Sequence, residues 1–175
     1  MTATKRFLVF VLAGLTALAA AVPTEALDLR SWDRKFDNAS TRFTVLSAFD
    51  DEAVLDKETQ LVWQRQPDPT FRPWAQAIAH CMVTPIGGRL GWRLPTFEEL
   101  SSLLVAEQPG LPGLPAGHPF LNLPSGLFYW SATTSATDVA AAWSLKDSPA
   151  GAFIFTKSAD RSTWCVRGGQ GYDGR

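Results

Sequence analysis

Gly91-Trp92-Arg93-Leu94-Pro95-Thr96-Phe97-Glu98-Glu99-Leu100-Ser101-Ser102-Leu103-Leu104 places a tight turn, a packed aromatic and a helix start side by side. Pro95 ends what precedes it and biases Leu94 toward extended backbone. Thr96 reads as an N-cap. Glu99, three residues on, can reach back to the Thr96 N–H and complete a capping box. Leu100, Leu103 and Leu104 follow at helical spacing, giving one apolar face to a helix expected over residues 97–106.

Outward from this stretch the elements alternate. Upstream, residues 43–49 read as a strand, and 53–55 and 61–64 as the arms of a hairpin around a turn at 56–60. Pro67-Asp68-Pro69 breaks the chain. Pro73 suits the first position of a helix, where Trp74, Ala77, Ile78 and Cys81 fall at i, i+3, i+4 and i+7. Thr84-Pro85 and Gly87-Gly88 close that helix. Downstream, residues 107–125 form a long loop rich in Pro and Gly, of a kind that is often functional. Its Leu111, Leu114, Phe120 and Leu121 point to a loop that packs. Residues 128–131, 140–145, 152–157 and 164–167 read as strands, with a turn at 147–151. Two helices and a strand-rich second half make the fold class α+β, with a mainly antiparallel sheet.

The chain of 175 residues allows one domain. Lys5-Arg6 followed by the apolar run 7–21 reads as a secretory signal peptide. Cleavage is expected after Ala21, with Ala26 as the second choice, so no membrane insertion is expected afterwards. The expected organisation is a signal peptide at 1–21, a lead-in at 22–42, a domain at 43–169 and a tail at 170–175. Loss of Lys5 and Arg6 with the signal takes the formal charge from −1 to −3. A mildly acidic protein has no global pull toward nucleic acid, heparin-like polymers or anionic lipid, so a basic face can be supplied only locally. The expected compartment is periplasmic or extracellular. There, an isolated pair such as Cys81 and Cys165 most often forms a disulfide; a reactive thiol or a metal site is the alternative.

The motifs resemble a known family. Trp92-Arg93-Leu94-Pro95-Thr96 with Glu99-Leu100 is similar to the signature of the C-terminal domain of the collagen-like adhesin (Lcl) family. Asp56-Lys57-Glu58-Thr59-Gln60-Leu61-Val62-Trp63-Gln64 resembles its opening hairpin. Trp74-Ala75-Gln76-Ala77 through Cys81 resembles its first helix, Tyr129-Trp130-Ser131-Ala132-Thr133-Thr134 its central strand, and Cys165-Val166-Arg167-Gly168-Gly169 its last strand. The resemblance implies a C-type-lectin-like fold and a disulfide between Cys81 and Cys165. It also implies binding to sulfated glycosaminoglycans, the activity of the family's best-known member, which needs a basic face. The family pattern carries Gly where this chain has Gln60; a positive φ there costs a Gln about 1 kcal/mol. No collagen-like Gly-X-Y stalk is present, so the oligomeric state is left open.

The chemistry points to binding rather than catalysis. Gln66-Pro67-Asp68 is a calcium-lectin triplet in form but precedes the first helix, and residues 109–135 contain no Asp or Glu, so neither calcium nor any other metal is expected. No cofactor is expected. The histidines are His80, beside a cysteine, and His118, in the Pro/Gly loop, and neither has an evident acid–base partner. Most tryptophans, Trp92 and Trp130 among them, read as core, with Trp32 and Trp143 the more exposed. Arg93 and Arg167 read as ties to carbonyls or to Glu99, with an anion site as the alternative. Arg72, Arg89, Trp143, Lys146, Lys157 and Arg161 are the candidate ligand residues. The expected activity is recognition of a glycan, acidic or sulfated, or of a surface protein; the alternative is a structural subunit of an envelope assembly.

Overall fold

The capping box forms as the sequence dictates. The Thr96 hydroxyl accepts from the Glu99 N–H at 3.2 Å, and the Glu99 carboxylate accepts from the Thr96 N–H at 2.8 Å. A computed structural model describes residues 36, 38–105, 113–124, 126–147 and 150–168. The expected signal peptide, Trp32, Leu111 and the tail lie outside the described residues.

The elements are α1 (Ala39–Arg42), β1 (Phe43–Val45), a 3-10 turn (Ser47–Phe49), β2 (Ala53–Asp56), β3 (Leu61–Gln64), β4 (Asp68–Arg72), α2 (Trp74–Val83), α3 (Phe97–Ser102), β5 (Phe128–Thr134), β6 (Ala141–Asp147), β7 (Ala150–Thr156), β8 (Arg161–Thr163) and β9 (Val166–Arg167). They form two sheets, ordered β1-β2-β3-β9 and β4-β8-β5-β6-β7. All pairings are antiparallel except β5 with β8. The α+β class is therefore observed, with two sheets in place of one.

The expected hairpin is present, with Ala53 opposite Gln64 and Asp56 opposite Leu61. Gln60 sits in its turn at φ 61°, the left-handed region where the family pattern has Gly. Its side-chain Nε2 donates to the Lys57 carbonyl at 2.7 Å, a contact Gly cannot make.

Several boundaries differ from expectation for physical reasons. Residues 68–72 form a strand despite Pro69, because β4 is a sheet edge where a missing N–H is tolerated. α3 stops at Ser102: Leu103 and Leu104 close onto Leu100 and Ser101, and Val105 then pairs with Gly113. The strand expected at 164–167 is split between the sheets, with Trp164 and Cys165 crossing from β8 to β9. The strand expected at 43–49 turns into 3-10 helix after Val45. The packed body also takes in α1, ahead of Phe43: Ala39 and Arg42 are buried.

Alternation along the strands divides the core in two. Tyr129 faces a cluster with Phe43, Trp63, Leu100, Phe120 and Trp164. Its neighbour Trp130 faces another with Ala77, Cys81, Trp92 and Cys165. Phe120 and Leu114 anchor the second half of the Pro/Gly loop in the first cluster. Leu121 does not pack as expected; it is 42% exposed. Cys81 and Cys165 form a disulfide, fixing α2 to the crossover between the sheets.

The opening stretch joins both sheets. Arg93 and Val166 exchange backbone hydrogen bonds at 2.8 and 2.9 Å, while Ala132 of β5 donates to the Pro95 carbonyl at 2.7 Å. Trp92 is buried and spends its indole N–H on the Arg89 carbonyl.

Candidate functional site

The charges of the motif are consumed by the fold. Arg93 grips Glu99 with both terminal nitrogens, at 2.7 and 2.6 Å, and donates to the Gly168 carbonyl at 2.6 Å. Glu99, only 5% exposed, therefore caps α3 and neutralises Arg93 at once. The expectation of a structural tie holds for Arg93. Arg167 has no carboxylate partner among the described residues; its guanidinium lies 5.8 Å from the centre of the Phe49 ring.

Three of the six candidate ligand residues converge. Arg72 of β4 stands directly opposite Arg161 of β8. The Arg161 guanidinium lies over Phe155 at 3.7 Å and near Phe128 at 5.5 Å. Lys146 reaches the same Phe128 ring from β6, at 5.8 Å. Phe153 completes a cluster of rings, 5.0 Å from Phe128 and 6.2 Å from Phe155, and is 41% exposed. Gly151 makes room for it: a Cβ there would come within 2.9 Å of the Phe153 ring. Arg72 is held by Asp68 at 3.1 Å. Among the described residues, Arg161 and Lys146 make no ion pair. The result is a surface of three phenylalanine rings carrying two uncompensated cations, which can stack on flat faces and attract anions.

The other three candidates lie elsewhere. Lys157 stands over the Trp74 ring at 4.0 Å and donates to the Thr134 hydroxyl, bracing α2 against the sheet. Arg89 lies over Phe49 and donates to the Ala48 carbonyl. Trp143 is half-buried against Phe97, on the opposite face of β6 from Lys146. Sequence reasoning missed Phe128, Phe153 and Phe155. The available signal was their alternation in β5 and β7, which reads equally well as core.

One arrangement touches on catalysis. His80 lies 3.3 Å from Asp68 and 3.2 Å from the Thr84 hydroxyl. Burial, and secondarily Arg72, hold His80 below the ordinary histidine value, against the pull of Asp68. Burial alone would raise the Asp68 carboxyl, but hydrogen bonds from Thr70 and the charges of Arg72 and His80 outweigh it and hold it low. Asp68, His80 and Thr84 lie in the order of a triad, but His80 Nε2 makes no hydrogen bond to Asp68. The cavity that Thr84 and Asp68 line also carries Asp51 and Glu52 against one cation, Arg65, which donates to the Pro119 and Asp51 carbonyls, so its charge is the wrong sign to stabilise an oxyanion. Thr84 is also the C-cap of α2, its backbone N–H donating to the His80 carbonyl, so its hydroxyl lies near the His80 ring through the helix end. Among the described residues, no group of three or more His, Cys, Asp or Glu converges as a metal site.

Compared with known families, residues 52–167 match the model of the Lcl C-terminal domain. No curated protein matches the chain significantly.

Proposed function

The chain belongs to the Lcl C-terminal domain family, and on that premise we propose that it is an exported, non-catalytic binding module of C-type-lectin-like fold that recognises an acidic glycan. Family membership makes it an adhesin-related module. The glycan reading is carried by one observation: Arg161 stands over the Phe155 and Phe128 rings and Lys146 over Phe128, with Phe153 packed beside them and no carboxylate among the described residues to neutralise either cation. Rings stack on the apolar faces of sugars, and adjacent cations select sugars that carry sulfate or carboxylate. The mature chain's net acidity fits a local site rather than a basic protein that binds every polyanion. In this reading the protein works in the periplasm or outside the cell.

The test is binding of the purified chain to immobilised sulfated and uronic-acid polymers at low and physiological salt. The expected result is binding that weakens with salt and falls about three- to tenfold in Arg161→Gln. Binding unaffected by Arg161→Gln and Phe153→Ala would remove this surface from the mechanism.

A second reading, a subunit of an envelope assembly, is favoured by β7. This seven-residue strand is the edge of its sheet, bears no charge or proline and exposes Phe153 and Ile154. Such an edge can accept a strand from a partner.

A further inference from the structure

Arg167 is a motif guanidinium that the fold leaves without a counter-charge among the described residues. Arg42, Arg72 and Arg93 each hold a carboxylate, whereas Arg167 makes no ion pair among the described residues. Its Nη1 is buried and has no hydrogen-bond partner among the described residues. A buried, unpaired guanidinium donor is costly and calls for an acceptor.

The surroundings provide room for one. Arg167 and Arg93 line a cavity of about 440 Å³, with Phe49 and Val62 as apolar wall and Gly91 and Gly168 as bare backbone. Gln60 also lines it, and among the described residues no acidic side chain does. Gly91 has φ +92° and Gly168 φ +85°, conformations that side chains rarely adopt. A Cβ on Gly91 would sit 3.8 Å from Arg167 Nε, against the donor edge of the fork. The volume falls within the range of ligand sites, roughly 300–1,000 Å³. Arg93 is already neutralised by Glu99, so the net charge offered to a ligand is that of Arg167.

We propose that this cavity is a carboxylate-binding subsite that takes a single acidic sugar of the uronic-acid class. One planar fork with unused donors matches the two oxygens of a carboxylate, and Phe49 and Val62 supply apolar wall beside it. The sugar identity rests on the glycan reading above; the carboxylate chemistry rests on Arg167 alone. The cavity is separate from the Phe128–Arg161 surface, so the two can be tested apart.

The experiment is ligand-observed NMR titration of the purified chain with glucuronate, with glucose as the neutral control. Glucuronate should bind and glucose should not. Arg167→Gln should weaken glucuronate about tenfold or more. Arg167→Lys, which keeps the charge without the fork, should restore part of that loss. Lys157→Ala, outside both sites, should leave glucuronate binding unchanged. Thermal melting of each variant separates a lost site from a lost fold. No glucuronate binding by the folded chain, or equal binding by Arg167→Gln, would overturn the proposal. Polymer binding that persists in either case would leave the wider glycan reading standing.

Discussion

Arg42 and Asp56 meet fork to fork in the core: Nε lies 2.9 Å from Oδ1 and Nη2 2.7 Å from Oδ2, with 1% and 0% of the side chains exposed. Arg42 also donates to the Ser102 carbonyl at the end of α3, and Asp56 accepts from the Glu58 N–H and the Thr59 hydroxyl in the hairpin turn. The pair thus ties α1, the hairpin and α3. Asp56→Asn should cost about 3–5 kcal/mol, because it strands a buried charge. Arg42→Met with Asp56→Leu should cost much less than the sum of the single changes. Urea unfolding of Asp56→Asn, Arg42→Met, Asp56→Leu and the double variant checks this; additive losses would contradict the coupling.

The disulfide links residues 84 positions apart. Loop-closure entropy predicts that Cys81→Ser with Cys165→Ser lowers stability by roughly 4–5 kcal/mol. Denaturation of the oxidised chain with and without a thiol reductant should reproduce that gap, and coincident curves would refute it.

Thr96 and Glu99 share one cap, but Glu99 also neutralises Arg93. Thr96→Ala should cost about 1 kcal/mol, the ordinary worth of an N-cap. Glu99→Ala should cost about 3 kcal/mol or more, since it leaves Arg93 unpaired in a part-buried site. Equal losses from the two changes would mean that the Arg93 contact contributes nothing.

Stability should fall as pH drops below neutrality. His80 and His118 are both held below the ordinary histidine value, burial being the first cause in each. The unfolded chain then binds protons that the native chain does not, so this contribution is present above about pH 6.5 and is lost as pH falls below it. Asp68, also held low, loses its contribution further down, below its ordinary 3.8. Melting temperature should therefore decline between pH 7 and 5, with a shallower slope in the variant with both His80→Gln and His118→Gln. An unchanged slope would sink this account.

Lys157 should behave as a brace and not as a ligand residue. Lys157→Ala removes its contacts with Trp74 and Thr134 and should cost about 1 kcal/mol of stability. Its polyanion binding should match wild type, in contrast to Arg161→Gln. A selective binding loss in Lys157→Ala would return it to the site.

Local signals were legible wherever a residue's role is settled by its near neighbours. The Thr96–Glu99 capping box, the Asp56–Gln60 turn and the Trp74–Cys81 stripe all appear where spacing placed them. β4 was not legible, because Pro69 is forbidden in a central strand and tolerated at an edge, and only the assembled sheet shows which it is. The candidate site was half legible. Basic residues near strand ends could be named, but Arg161 and Lys157 look alike in sequence and do different things: one stands over Phe155 without a counter-charge, the other locks Trp74 to Thr134.

The sequence by itself determined the α+β class, the capped helix and the family, because the first two follow from periodicity and turn chemistry and the third from motifs that fall in the family's order. The tertiary structure decided which charges are spent and which remain. Arg93 and Arg167 belong to the same set of motifs, yet only Arg93 meets a carboxylate, through a turn that brings Glu99 back to it. Phe128 and Phe153 belong to strands that read as core, yet β7 ends the sheet and leaves Phe153 beside two cations at the surface. Pairing and edge position are properties of the assembled sheet, set by contacts between segments far apart in the chain, and no local pattern encodes them.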